Sequence, residues 1–191
     1  MQPLKKDSTL KALKPFNIAF VGLSGGEHEF SFELDDNFFA CFEGSEIVKA
    51  KLKGKLILNK KSNMMDLDFY IDGQVELECD RCLEPFWHTM DLHRALYVKY
   101  GDRREEQSDE VTIIPATESH IEVAQYFYEF IALGLPAKKV HDEDETGTPE
   151  CDPTIINQIE KYMPGKGDKS ESNDDKPSDG RWDALKDIKF N

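Results

Sequence analysis

Hydrophobic and polar residues alternate with a period of two in the first half of the chain, the mark of half-buried strands. In "GEHEFSFEL", His28, Phe30, Phe32 and Leu34 alternate with Glu29, Ser31 and Glu33 after the turn "LSGGE". "EIVKAKLKGKLILNKK" sets Val48, Ala50, Leu52, Gly54, Leu56 and Leu58 against Lys49, Lys51, Lys53 and Lys55. "MDLDFYIDGQVELEC" sends Met65, Leu67, Phe69, Ile71, Val75, Leu77 and Cys79 inward and Asp66, Asp68, Asp72, Glu76 and Glu78 outward. Two long alternating runs joined by the short loop "NKKSN" predict an antiparallel hairpin over about 46–79. "FWHTMDLHRALYVKYG" reads as a further strand holding Leu92, Leu96 and Val98, and "DRREEQSDE" as an exposed loop. Cys41, inside "FFACF", reads as a small buried apolar residue.

The period then lengthens to 3.6. Ser119 and Glu122 have capping-box spacing, and Ile121, Gln125, Tyr128, Ile131 and Leu135 form a helical stripe beside Ala124 and Phe127, ended by Pro136. "PTIINQIEKYM" predicts a short second helix. Residues 164–180 have no apolar residue except proline and read as a disordered acidic linker. Trp182, Leu185 and Ile188 then recur at helical spacing. The fold class expected is α+β: an antiparallel sheet on the long hairpin, helices in the C-terminal half, then linker and short terminal helix. The division expected is a single domain over 1–163, the linker, and a terminal amphipathic motif over 181–191.

Charge changes the picture of partners. The 191 residues carry a formal net charge of -14, but residues 1–61 hold ten lysines against eight acids, and the excess acid falls in the rest. That balance opposes strong non-specific nucleic-acid binding while leaving a local basic surface in the N-terminal half. Lys49, Lys51, Lys53 and Lys55 repeat at about 6.6 Å on one strand face, close to the phosphate step of an RNA strand. Lys60, Lys61 and Arg81 extend this candidate RNA-binding set. The competing reading pairs the same lysines with Asp68 and Asp72 of the next strand. No window approaches the ~20 apolar residues of a membrane span, and the start lacks a signal-peptide core. The expected compartment is the cytoplasm, with neither a membrane nor a small-molecule substrate as partner.

Two of the four cysteines, Cys79 and Cys82, stand at C-x-x-C spacing in "ECDRCLEPF". A redox pair normally opens a helix, whereas this pair ends a strand among Glu78 and Asp80. A structural zinc needs four ligands, and His141 and Cys151 in "VHDEDETGTPEC" are the candidates to complete it. Two unliganded thiols and an exposed loop histidine fit the spacing as well. No phosphate loop, G-x-S-x-G or H-E-x-x-H occurs, and His88, His93 and His120 stand singly, so no enzyme is expected.

"ELECDRCLEPF" after an alternating hairpin, "FIALGLPAKKVHDEDETGTPEC" and the terminal "DGRWDALKDI" together resemble the YceD family, the large ribosomal RNA subunit accumulation proteins. The resemblance runs over nearly the whole chain in order. It implies a cytoplasmic, non-catalytic, bacterial factor supporting accumulation of large-subunit (23S) ribosomal RNA through precursor RNA or early assembly particles. It also strengthens one zinc at Cys79, Cys82, His141 and Cys151. The family's Asp-Pro-Arg-Trp ending stands here as Asp179-Gly180-Arg181-Trp182. Arg181, Trp182, Leu185 and Ile188 are the candidate partner-binding residues. The alternative function is a scaffold whose acidic half binds a basic ribosomal protein.

Overall fold

A computed structural model describes residues 12–141 and 150–162. The chain divides into two compact units at Glu150/Cys151. In the first, a 3-10 turn, Lys14–Phe16, leads into β1 (Asn17–Ala19) and β2 (Gly26–Asp35), followed by a one-turn helix α1 (Asp36–Phe39). Then come β3 (Ala50–Lys60), β4 (Met64–Glu78), β5 (Pro85–Gly101), β6 (Glu105–Ser108), β7 (Val111–Pro115), β8 (His120–Glu122) and α2 (Ala124–Gly134). The described part of the second unit is α3, Pro153–Tyr162. The expected linker and terminal motif, including Arg181, Trp182, Leu185 and Ile188, lie outside the described residues.

Six strands form one sheet in the order β2-β3-β4-β5-β7-β6, antiparallel except where β7 runs parallel to β5. The hairpin expected over 46–79 is β3–β4, in register from Lys60 opposite Met65 to Ala50 opposite Val75. Alternation placed its inward face correctly: Met65, Leu67, Phe69, Ile71, Val75 and Leu77 are all buried. Its start needs correcting. The first strand begins at Ala50, Val48 is 72% exposed, and Ile47 takes the buried place instead.

The reason lies in α1. Asp35 caps it, accepting from the backbone N–H groups of Asn37 and Phe38, both at 3.1 Å. The Asp36 carboxylate then accepts from the N–H of Ala50 at 2.7 Å, which fixes where β3 begins. Cys41 is half-buried rather than buried, its thiol donating to the Asn37 carbonyl at 3.2 Å. The charged segment after β5 is not all loop: four of its residues form β6, an exposed edge strand beside β7.

One face of the sheet is covered by α2 and by the small β1–β8 ribbon. Phe16 stacks on Phe32 with centroids 4.7 Å apart, and Phe127 of α2 meets Phe32 and Phe69 edge-on. A Cβ on Gly54 would lie 2.8 Å from the Phe127 ring, so the missing side chain lets the helix sit directly on β3. The helix starts later than the capping-box spacing suggested. Ile121 belongs to β8, Val123 is the N-cap, and the buried stripe is Ala124, Phe127, Phe130 and Ile131, with Gln125 exposed. Pairing of residues 120–122 with β1 outcompetes the local cap, because it buries Ile121 against Ile18. At the other end Leu135 is extended, as a residue before proline tends to be. In the second unit, α3 is capped by Asp152, which accepts from the backbone N–H of Thr154 at 2.8 Å and its hydroxyl at 2.7 Å.

Candidate metal centre and outer sheet face

The C-x-x-C segment is the tight connection between β4 and β5, closed where Glu78 pairs with Pro85. Cys79 donates its N–H to the Glu84 carbonyl at 3.0 Å, and Leu83 donates back to the Cys79 carbonyl at 2.9 Å. The Arg81 N–H points at Cys79 Sγ, 3.4 Å away. Leu83 has φ 61°, a left-handed conformation that costs a branched side chain about 1–2 kcal/mol. Leu83 is also 67% exposed, so no burial compensates for that strain locally. The conformation turns the chain after Cys82 back toward β5, where the Glu84 carbonyl meets the Cys79 N–H. Replacing Leu83 by glycine is expected to raise stability by about 1 kcal/mol and the melting temperature by about 3 °C. Differential scanning calorimetry would check this.

A second segment is clamped to the turn. Asp80 donates its N–H to the Lys139 carbonyl at 2.7 Å, and its carboxylate accepts the Lys139 N–H at 2.7 Å. Lys139 also reaches Glu46 with its ammonium. These two hydrogen bonds anchor the segment that brings His141 beside the cysteines, with its ring 5.0 Å from Phe86 and its Nδ1 3.5 Å from Cys82 Sγ. Cys79, Cys82, His141 and Cys151 each offer one ligand atom, and all four atoms lie within 4.8 Å of one another. None of the four cysteines forms a disulfide.

The donor set fits zinc. Tetrahedral bonds of about 2.3 Å to sulfur and 2.0–2.1 Å to nitrogen separate the two donor atoms by about 3.5 Å. That is the Cys82–His141 distance found here. Sulfur–sulfur edges of about 3.8 Å fall inside the 4.8 Å within which the four donor atoms lie. The electrostatics point the same way. Burial pushes the Cys79 thiol up, but N–H groups of Cys82, Arg81 and His141 and the Cys82 thiol outweigh it and bring it down to about 6. A thiol so placed is readily a thiolate, the form a metal binds.

The lysine stripe lies on the other face of the sheet, which no described element covers, and carboxylates are threaded through it. Lys49 pairs with Glu76 at 2.9 Å, Lys55 with Glu29 on β2 at 3.1 Å, and Lys61 with Asp66. Lys51 sits over the Trp87 ring at 4.6 Å. Lys53 stands in register between Glu33 and Asp72. Asp68, expected opposite the lysines, is opposite Ile57 and bonds His93 at 3.0 Å. Lys60 turns toward the β1–β2 loop, donating to the carbonyls of Phe20 and Leu23 at 2.9 and 2.8 Å. Arg81 stands past the far end of β4, about 45 Å along the strand from Lys60 and Lys61. The structure therefore sets Lys49, Lys51, Lys53 and Lys55 along one strand, turns Lys60 away to the β1–β2 loop, and places Arg81 beyond the strand end nearest Lys49. Sequence reasoning missed the exposed aromatics among them, Tyr70, Trp87 and Tyr97, each more than a third exposed. Their place at outward positions of β4 and β5 was the available signal.

A hairpin-built sheet with a Cys3His cluster at a strand connection defines the class: a β-sheet domain with a knuckle-type, metal-competent turn. The family model described as large ribosomal RNA subunit accumulation protein YceD matches residues 67–189, from within β4 through the cysteine turn onward. The chain belongs to this family. No curated protein and no solved structure matches it.

Proposed function

We propose that this chain is a non-catalytic ribosome-assembly factor that supports accumulation of 23S ribosomal RNA in the cytoplasm by engaging early large-subunit particles. The observation that carries the reading is the family match, which runs across the cysteine turn and both other cluster residues. One structural zinc, held by Cys79, Cys82, His141 and Cys151, pins the β4–β5 connection. A closed four-ligand site of this kind leaves no position for substrate, which suits a staple rather than a catalyst. The no-enzyme reading rests equally on the sequence, which offers no nucleophile with a positioned base.

Depleting the protein and quantifying each ribosomal RNA tests the proposal. Large-subunit RNA is expected to fall while small-subunit RNA holds. Equal loss of both would overturn it. The terminal Arg181, Trp182, Leu185 and Ile188 are proposed as a particle-binding motif, since an apolar spacing over so few residues gives little stability alone. Trp182→Ala is expected to leave the melting temperature unchanged and to weaken co-sedimentation with precursor particles. A large loss of melting temperature would make the tail part of the core instead.

A further inference from the structure

The sheet face that no described element covers carries a charge pattern opposite to the one its lysine stripe suggests. In the central row, Glu33, Lys53, Asp72 and Asp91 lie side by side across β2, β3, β4 and β5. Three carboxylates thus flank one ammonium across about 14 Å. The flanking rows do not restore positive charge. Lys55 is paired with Glu29, and Lys51 stands in register with Asp35. Tyr70, stacked on His93 at 4.5 Å, occupies the row beside this acidic centre. Trp87 lies two rows to its other side.

We propose that this face docks a lysine- and arginine-rich protein segment, with Asp72 and Asp91 receiving its cations and Trp87 and Tyr70 giving apolar contact. The proposal rests on the assembly-factor reading above and names the partner class of that factor. Charge complementarity decides between protein and RNA. A phosphate chain laid on this row would meet three carboxylates for each ammonium, a repulsion that one lysine cannot offset. A basic segment meets the reverse, and exposed aromatics with carboxylates are what bind arginine and lysine side chains. Sheets that bind single-stranded RNA through surface aromatics surround them with cations, whereas the row beside Tyr70 here holds Asp72 and Asp91.

The test uses the purified full-length chain and two fluorescent probes: a synthetic peptide with arginine or lysine at alternate positions, and a single-stranded RNA oligonucleotide. The wild-type chain is expected to bind the peptide in a salt-dependent way and the RNA weakly. Asp72→Asn with Asp91→Asn should weaken peptide binding roughly tenfold, while Lys53→Gln should strengthen it modestly. Matching circular dichroism and melting temperature confirm that each variant is folded. Peptide affinity unchanged by the double variant overturns the proposal. Tighter RNA binding by the double variant together with weaker RNA binding by Lys53→Gln would overturn it in favour of an RNA site. The two readings separate in cells. If the double variant loses peptide affinity but restores large-subunit RNA fully after depletion, the docking role fails and the assembly role stands. If depletion does not change that RNA, the assembly role fails whatever the peptide does.

Discussion

Stripping metal from the purified chain with a strong chelator is expected to release about one zinc per molecule and lower the melting temperature by about 10 °C. The magnitude follows from binding linkage. A ligand held at a thousandfold excess over its dissociation constant contributes about 4 kcal/mol to the folded state. For a domain of this size each kcal/mol moves the melting temperature by about 2–4 °C. The chain should remain folded without metal, unlike an isolated zinc finger, because the sheet has its own core of Phe39, Phe69, Phe127 and the β3–β4 aliphatics. Loss should be local to the β4–β5 connection and the Asp80–Lys139 clamp. Hydrogen exchange should therefore accelerate at Cys79–Glu84 and around Lys139 before it does in β3. Cys82→Ser should reproduce the chelated state and be insensitive to added zinc. Elemental analysis that finds no metal in protein of normal stability would remove the zinc reading.

How far the sequence carried depends on the range over which each feature is decided. The β3–β4 hairpin was legible because its alternation is local and long, and Met65 through Leu77 were placed on the right face. The misplacements came where a distant partner decided the outcome. Ser119 and Glu122 look like a cap, yet their segment pairs with Asn17–Ala19, about a hundred residues earlier. Val48 fits the alternation, yet the Asp36 carboxylate starts the strand at Ala50. The four cluster residues were named from spacing alone. What spacing could not supply was the clamp through Asp80 and Lys139, or the left-handed Leu83, since neither residue type announces the role. The lysine stripe was visible, but its meaning depended on registers that place Glu33 and Asp72 on either side of Lys53.

Both the metal turn and the acidic face hang on β4, so a defect in the middle of that strand should reach each of them. Gly73 is the point to test. Its φ is +134°, a conformation L side chains rarely adopt, and a Cβ there would lie 2.1 Å from the Lys51 carbonyl oxygen. That obstacle is backbone, held in the sheet by β2 on its other side, so it cannot swing away as a side chain could. Gly73→Ala must therefore lift β3 off β4 near Lys51, including the bond from the Glu76 N–H to the Lys49 carbonyl at 2.9 Å. Strain and lost ladder bonds together are expected to cost on the order of 3–4 kcal/mol, lowering the melting temperature by about 10 °C. Glycine's freedom in the unfolded chain works the other way, since alanine loses less entropy on folding, but that gain is under about 1 kcal/mol. Steric conflict wins. Because Lys51 would carry its ammonium away from Trp87, the variant's tryptophan fluorescence should also change in the folded state. A Gly73→Ala chain as stable as the parent, with unchanged fluorescence, would mean that β4 can relax around position 73 and that its two ends are not mechanically coupled.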